Sequence, residues 1–70
     1  KSKPSRDKLI AICIGMNLTI RETQKVLKQC KVSPLYVRFK RDAIIMHCIK
    51  NNKDVISLNL ELESNNQKLL

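Results

Sequence analysis

The feature that most constrains the fold is that the chain resembles itself at an offset of 35 residues. Aligning positions 6–35 with positions 41–70 gives eight identities in 30 pairs, whereas chance gives roughly two. The identical pairs are Arg6-Asp7 with Arg41-Asp42, Ile10 with Ile45, Cys13 with Cys48, Ile14 with Ile49, Asn17 with Asn52, Leu27 with Leu62, and Leu35 with Leu70. Two copies are fewer than a self-standing solenoid needs, so we expect the copies to pack face to face.

The first copy has the pattern of two helices joined by a short turn. Four apolar residues follow the helical spacing i, i+3, i+4 and i+7, namely Leu9, Ile12, Cys13 and Met16. Ser5 can cap the start of this helix, and Gly15 or Asn17 can supply the left-handed residue that ends it. Thr19 followed by Glu22 is a capping box, which predicts that a second helix begins there. Its predicted outer face carries Arg21, Gln24, Lys25, Lys28 and Lys31.

The second copy repeats this pattern with one ambiguous segment. Apolar residues at 56, 58, 60 and 62 alternate with polar residues, as in a strand. The repeat aligns Leu62 with Leu27, and nothing else in the chain alternates, so we interpret this segment as a helix. The sequence therefore predicts an all-α fold of four helices, at about 5–16, 19–31, 40–51 and 54–64, packed as two repeated hairpins on one core. We expect residues 1–70 to form a single small domain of a longer protein, with repeat units 6–35 and 41–70.

A linker that contains the only two aromatic residues joins the copies. Pro34 prevents the second helix from continuing into it. Tyr36 and Phe39 are expected to fill the gap between the hairpins, because aromatic side chains dominate small cores; stacking on nucleic-acid bases is the alternative.

The charge of the chain favours a polyanionic partner. Fourteen Lys and Arg residues against six Asp and Glu residues give a net charge of +8, which points to nucleic acid before a membrane surface. A basic face that serves only solubility is the alternative. Basic residues near the start of a helix oppose its dipole, so phosphate contact or solvation explains them better than helix stability. The candidate phosphate contacts are Lys1, Lys3, Ser5, Arg6, Lys8, Arg38, Lys40 and Arg41.

Enzyme chemistry finds little support in the sequence. Cys13, Cys30 and Cys48 lack the spacing of a zinc or redox motif, and His47 lies within an apolar run. A single glycine cannot form a phosphate-binding loop. We therefore expect no catalytic residue, no metal, no cofactor and no small-molecule substrate. Reduced thiols, together with apolar runs too short to span a bilayer, predict a cytoplasmic protein without membrane contact.

Part of the first hairpin copies a helix-turn-helix motif. Ala11, with Gly15 four residues later, fits the first half of that motif. A recognition helix must then bury the residues six and nine positions after the glycine, which here are the hydrophilic Arg21 and Gln24. This register favours ordinary helix packing over reading of the major groove.

Two segments resemble a known family. Residues 3–18, which run from a basic Pro-Ser loop through a helix to Gly15-Met16-Asn17-Leu18, resemble the closing segment of a Cro/CI-type (XRE-family) helix-turn-helix domain. The block Ser33-Pro34-Leu35-Tyr36, followed by residues 41–45, resembles a C-terminal helical extension found in uncharacterised bacterial members. The resemblance implies an all-helical bacterial DNA-binding transcriptional regulator whose recognition helix would precede Lys1.

Two functional hypotheses follow. The first is a helical part of a DNA-binding regulator, whose basic segments contact the phosphate backbone without sequence specificity. The second is a protein-interaction or homodimerisation module without direct DNA binding, because small chains gain core by associating. Its candidate interface residues are Leu58 and Leu60.

Overall fold

The computed structural model of the protein describes residues 5–70. Four helices follow one another: α1 (Arg6–Gly15), α2 (Ile20–Gln29), α3 (Lys40–Lys50) and α4 (Val55–Ser64). Residues 5–70 contain no strand, so the prediction of an all-α fold is confirmed, including for the alternating segment that became α4. The predicted helices extend past the observed ones by one or two residues at most of their ends.

Side-chain caps fix the starts of three helices. The hydroxyl groups of Ser5 and Thr19 accept hydrogen bonds from backbone N–H groups at the starts of α1 and α2, and Asp54 does the same for α4. The Glu22 carboxylate completes the predicted capping box by accepting from the Thr19 N–H at 2.8 Å. The N–H of Ser57 donates to the Asp54 carboxylate and lowers its pKa.

All four helices end in the same way. The residue two positions after each helix has a left-handed backbone with φ between 57° and 60°, at Asn17, Lys31, Asn52 and Asn66. The N–H group of the following residue bonds back to a carbonyl in the last helical turn, for example from Leu18 to Cys13 at 3.1 Å. This pair of features is the Schellman motif. Of the two residues expected to end α1, Asn17 has the left-handed backbone and Gly15 does not.

One apolar core joins the two hairpins. Within each hairpin the helices pack on each other, and between hairpins α1 contacts α4 while α2 contacts α3. The buried apolar residues of the core cluster come from every helix and from the linker: Leu9, Ile10, Ile14, Leu27, Leu35, Ile45, Cys48, Ile49, Leu58 and Leu62.

The repeated Arg-Asp pairs tie the hairpins together in a reciprocal way. Arg6 donates to the Asp42 carboxylate at 2.9 Å, and Arg41 donates to both oxygens of the Asp7 carboxylate at 3.0 and 3.1 Å. Position 6 therefore contacts position 42, and position 41 contacts position 7. Such an exchange of partners is the signature of a two-fold relation, whereas a translational stack would pass each contact on to a further copy.

The same two arginines also hold the chain segment that follows the second helix of each copy. The Nε of Arg6 donates to the Ser33 carbonyl at 2.7 Å, and the Nε of Arg41 donates to the Lys68 carbonyl at 2.7 Å. A second bond reaches the next carbonyl in each case, at Pro34 and Leu69. All of these partners are 35 residues apart in the sequence, so the repeat extends from residue identity to hydrogen bonding.

Three expectations about burial were wrong. Leu58, expected at an exposed interface, is fully buried, because it lies on the face of α4 that matches the core-facing Thr23 of α2. Ile12 and Met16 of the predicted apolar stripe of α1 are exposed. Tyr36 and Phe39 do not fill the gap between hairpins, because Leu35 from the linker occupies the core and their own rings remain outside.

Thr23 offers a test of core packing. Its side chain is fully buried, and its hydroxyl oxygen makes no hydrogen bond of regular geometry and has only a weak contact with the Cys13 thiol, whereas the equivalent position in the second copy is Leu58. We expect Thr23→Val to raise the free energy of unfolding by about 1 kcal/mol, since it keeps the shape of the side chain and removes a buried hydroxyl whose only polar contact is the weakly hydrogen-bonding Cys13 thiol. Urea denaturation measures this. Thr19→Val is the matched control and should lower the free energy of unfolding by about 1 kcal/mol, because it removes the cap of α2. A lower free energy of unfolding in Thr23→Val would contradict the placement of the Thr23 hydroxyl in an apolar environment without a good hydrogen-bond partner.

Candidate nucleic-acid interface

The predicted phosphate contacts fall into groups with different surroundings. Lys1 and Lys3 lie outside the described residues. Ser5 uses its hydroxyl to cap α1, accepting from the Lys8 N–H at 3.1 Å. The side chains of Lys8, Arg38 and Lys40 are exposed and form no ion pair among residues 5–70.

The prediction that Arg6 and Arg41 contact phosphates is corrected by the structure, because their guanidinium groups form hydrogen bonds within the protein. Each bonds two backbone carbonyls and one carboxylate of the opposite hairpin, as described above. Their side chains are only 24% and 18% exposed. A guanidinium bound in this way cannot move to a phosphate without breaking the junction between the hairpins. We therefore leave both residues out of the candidate interface.

A row of cations that form no ion pair among residues 5–70 lies on the outer face of α2. Arg21, Lys25 and Lys28 follow the spacing i, i+4 and i+7, so they lie along one side of the helix. They line a shallow groove of about 480 Å³ together with Ile20 and Gln24. We call these three cations the basic α2 face. Sequence reasoning placed them on the outer face of α2 but did not include them among the phosphate contacts.

One more cation extends this face toward the other hairpin. Lys50, at the end of α3, shares a second groove of about 430 Å³ with Arg21. The α1–α2 turn, Ile20, Ile49 and Asn52 form the rest of its wall. The packing of α2 against α3 therefore brings cations from both hairpins to one side of the molecule.

The carboxylates are placed so that they do not neutralise the basic α2 face. Asp7 and Asp42 pair with the two junction arginines, and Glu22 and Asp54 cap helices. The remaining acidic residues, Glu61 and Glu63, lie on α4. Structural roles therefore engage four of the six carboxylates. Glu22 is the one carboxylate on α2, and it forms no ion pair with Arg21, Lys25 or Lys28.

Comparison of the two copies of the repeat shows that the basic residues occur on the outer face of α2 and not at the equivalent positions of α4. The outer positions of α4 that correspond to Arg21, Lys25 and Lys28 are Ile56, Leu60 and Glu63. Ile56 is 72% exposed and Leu60 is 62% exposed. The two hairpins thus share their core and their junction but differ in chemistry on the outer faces of their second helices.

The described residues offer no metal centre or activated nucleophile. Residues 5–70 contain no group of three or more His, Cys, Asp or Glu side chains that could hold a metal ion. Burial raises the pKa of the Cys13 and Cys48 thiols, which disfavours the reactive thiolate. None of the four helices has both the length and the apolar character required to cross a membrane.

Taken together, the fold and the surface define a small all-α protein of two repeated hairpins with a basic face on one of them. Comparisons of the chain with protein-family models, curated proteins and solved structures found no match.

Proposed function

We propose that the protein binds the phosphate backbone of DNA through the basic α2 face. The observation that carries this proposal is the row formed by Arg21, Lys25 and Lys28, extended by Lys50 and opposed by no carboxylate of the described chain other than the capping Glu22. A helix that lays several Lys and Arg side chains along one side suits a regular row of phosphates. The net charge of +8 supports the same partner.

The expected binding is weak and independent of sequence. Phosphate contacts position a protein on the duplex and carry no sequence information. Contacts of this kind give dissociation constants of about 10⁻⁴ to 10⁻⁶ M at physiological salt. This role agrees with what the XRE-family resemblance implies, namely a helical part of a bacterial DNA-binding transcriptional regulator.

The test is a titration with mixed-sequence duplex DNA over a range of salt concentrations. We expect the double variant Lys25→Gln/Lys28→Gln to bind more weakly and to reduce the slope of log K against log [salt] by about 2, because each phosphate contact contributes roughly 0.9. The matched control is Lys53→Gln/Lys68→Gln, which removes the same charge from exposed positions outside the α2 face and outside the candidate phosphate contacts. We expect this control to leave most of the slope in place.

Two outcomes would contradict the proposal. The first is absence of binding by the unaltered chain at tens of micromolar in low salt. The second is an equal loss of slope in both double variants, which would mean that total charge, and not the α2 face, governs the interaction.

A second candidate function is a protein-interaction or homodimerisation module, and the outer face of α4 favours it. Ile56 and Leu60 are one helical turn apart and both are largely exposed, which is the arrangement of a small apolar contact surface. Leu60 remains a candidate interface residue, whereas the buried Leu58 is removed from that role. Under this hypothesis Leu60→Glu weakens association, measured by sedimentation at high concentration.

A further inference from the structure

The linker between the hairpins exposes aromatic side chains next to basic ones. Its sequence from Tyr36 to Lys40 alternates ring, aliphatic and cationic residues. Tyr36 is 52% exposed and Phe39 is 61% exposed, and their rings meet edge to face with centroids 6.1 Å apart. Two solvent-exposed aromatic rings do not contribute the free energy that burial of such rings usually adds to the stability of a small domain. Core packing therefore does not account for these two rings.

The linker is held in place by hydrogen bonds to the folded hairpins. Gln24 of α2 both donates to the Leu35 carbonyl at 2.9 Å and accepts from the Leu35 N–H at 2.7 Å. The Tyr36 N–H donates to the Asp42 carboxylate at 3.0 Å, and the Phe39 N–H donates to the Tyr36 carbonyl at 3.1 Å. The rings are thus presented on a fixed backbone, which reduces the entropy lost when a ligand binds.

A groove opens beside the two rings. It has a volume of about 390 Å³, within the ~300–1,000 Å³ of typical ligand clefts, and Tyr36, Phe39 and Pro34 supply its apolar wall. The junction arginines Arg6 and Arg41 line the other side, together with Ser33 and the Asp42 carboxylate that pairs with Arg6. Arg38 and Lys40, which form no ion pair in the described chain, flank the rings in sequence.

We propose that Tyr36 and Phe39 form a stacking platform for an unpaired nucleic-acid base, with Arg38 and Lys40 contacting the neighbouring phosphates. This inference rests on the proposed nucleic-acid binding and specifies its substrate as single-stranded or locally unpaired DNA. Exposed rings beside cations are the combination that single-stranded nucleic acid uses, since each base offers a planar face and each nucleotide a negative charge.

The position of the platform supports a shared binding surface. Gln24 lies between the cations of the basic α2 face and also bonds Leu35, the residue next to Tyr36. The platform therefore adjoins the basic α2 face through one side chain.

A proline-rich peptide is the other ligand that exposed aromatic grooves accept. Arg38 and Lys40, which lie next to the rings in sequence and form no ion pair among residues 5–70, favour nucleic acid, because a proline-rich peptide offers no phosphates for them to contact. The peptide is therefore kept as an outcome of the test.

The chain contains one tyrosine and no tryptophan, so its intrinsic fluorescence reports on Tyr36 alone. We expect a short oligothymidylate to quench this fluorescence on binding, as a stacked base does, after correction with free tyrosine for absorption by the DNA. An abasic oligonucleotide of the same length carries the same phosphates without bases. We expect it to bind more weakly and to leave the fluorescence unchanged.

Substitution of Phe39 separates stacking from charge. We expect Phe39→Leu, which keeps an apolar side chain and removes the ring, to weaken oligothymidylate binding about five-fold or more, the effect of losing one stacked base. Binding of the abasic strand should not change. Val37→Ala is the matched control, because Val37 is exposed in the same linker but has no ring. Circular dichroism of each variant verifies that the helices remain.

The outcomes distinguish this inference from the proposed function. Equal binding of the two oligonucleotides without quenching overturns the stacking platform and leaves the α2 phosphate contacts standing. Failure to bind either oligonucleotide or duplex DNA overturns both. Quenching by a proline-rich peptide but not by oligothymidylate overturns the platform in favour of a peptide groove.

Discussion

Asp42→Ala is expected to lower the free energy of unfolding by about 2–4 kcal/mol. The Asp42 side chain is 6% exposed and its Oδ2 accepts from both Arg6, at 2.9 Å, and the Tyr36 N–H, at 3.0 Å. Its removal leaves the Arg6 guanidinium with its two carbonyl acceptors but without a carboxylate partner, and it leaves the Tyr36 N–H without an acceptor. A domain of this size has about 4–10 kcal/mol of stability, so the variant loses a large part of it. Urea denaturation followed by circular dichroism measures the change.

The repeat provides the matched control for this experiment. Asp7 is the equivalent residue and also binds an arginine, but its side chain is 28% exposed and water can replace part of the contact. We expect Asp7→Ala to cost about 1 kcal/mol, as a partly exposed pair does. Asp42→Asn separates charge from hydrogen bonding, because its amide oxygen still accepts from the Tyr36 N–H. Equal losses in the two alanine variants would contradict the difference in burial that the structure gives them.

The second large effect is expected at Leu58. This side chain is fully buried in the core, so Leu58→Ala should lower the free energy of unfolding by about 2–5 kcal/mol. Leu60, two residues away, is 62% exposed, so Leu60→Ala should change it by less than about 0.5 kcal/mol. Denaturant titration of both variants at low protein concentration makes the comparison. A similar cost at both positions would mean that α4 is rotated or that its outer face is covered.

Leu58 and Leu60 also show how far the sequence alone leads. An alternating apolar pattern does not tell which side of a helix faces the core, since residues two apart lie about 200° apart on a helix. The repeat contained the answer, because it aligns Leu58 with Thr23 of the inner face and Leu60 with Lys25 of the outer face. Reading burial from the first copy onto the second would have placed both residues correctly.

The junction arginines were predictable in the same way. A repeated Arg-Asp pair whose members are adjacent in sequence cannot pair easily within one helix, because neighbouring residues point in different directions. Reciprocal pairing of Arg6 with Asp42 and of Arg41 with Asp7 resolves this in a two-fold arrangement. Arg6 and Arg41 were predicted to contact phosphate from their charge alone, without regard to their equivalent positions in the repeat.

The exposure of Tyr36 and Phe39 could not be read from the repeat. Their linker has no counterpart inside the second copy, so no aligned position indicated which way the rings face. The expectation of burial came from the general behaviour of aromatic residues in small cores. The buried side chain of Leu35 fills the core at this point instead. The Tyr36 N–H donates to the Asp42 carboxylate, and the rings that follow are exposed to solvent.

Nuclear Overhauser spectroscopy of the isotope-labelled chain tests the two-fold packing most directly. We expect contacts from the Arg6 side chain to Ser33 and Pro34, and equivalent contacts from Arg41 to Lys68 and Leu69, together with methyl contacts that join α1 to α4 and α2 to α3. Contacts from only one of the two arginines, with methyl groups of α4 remote from α1, would show an open stack of hairpins and contradict the account.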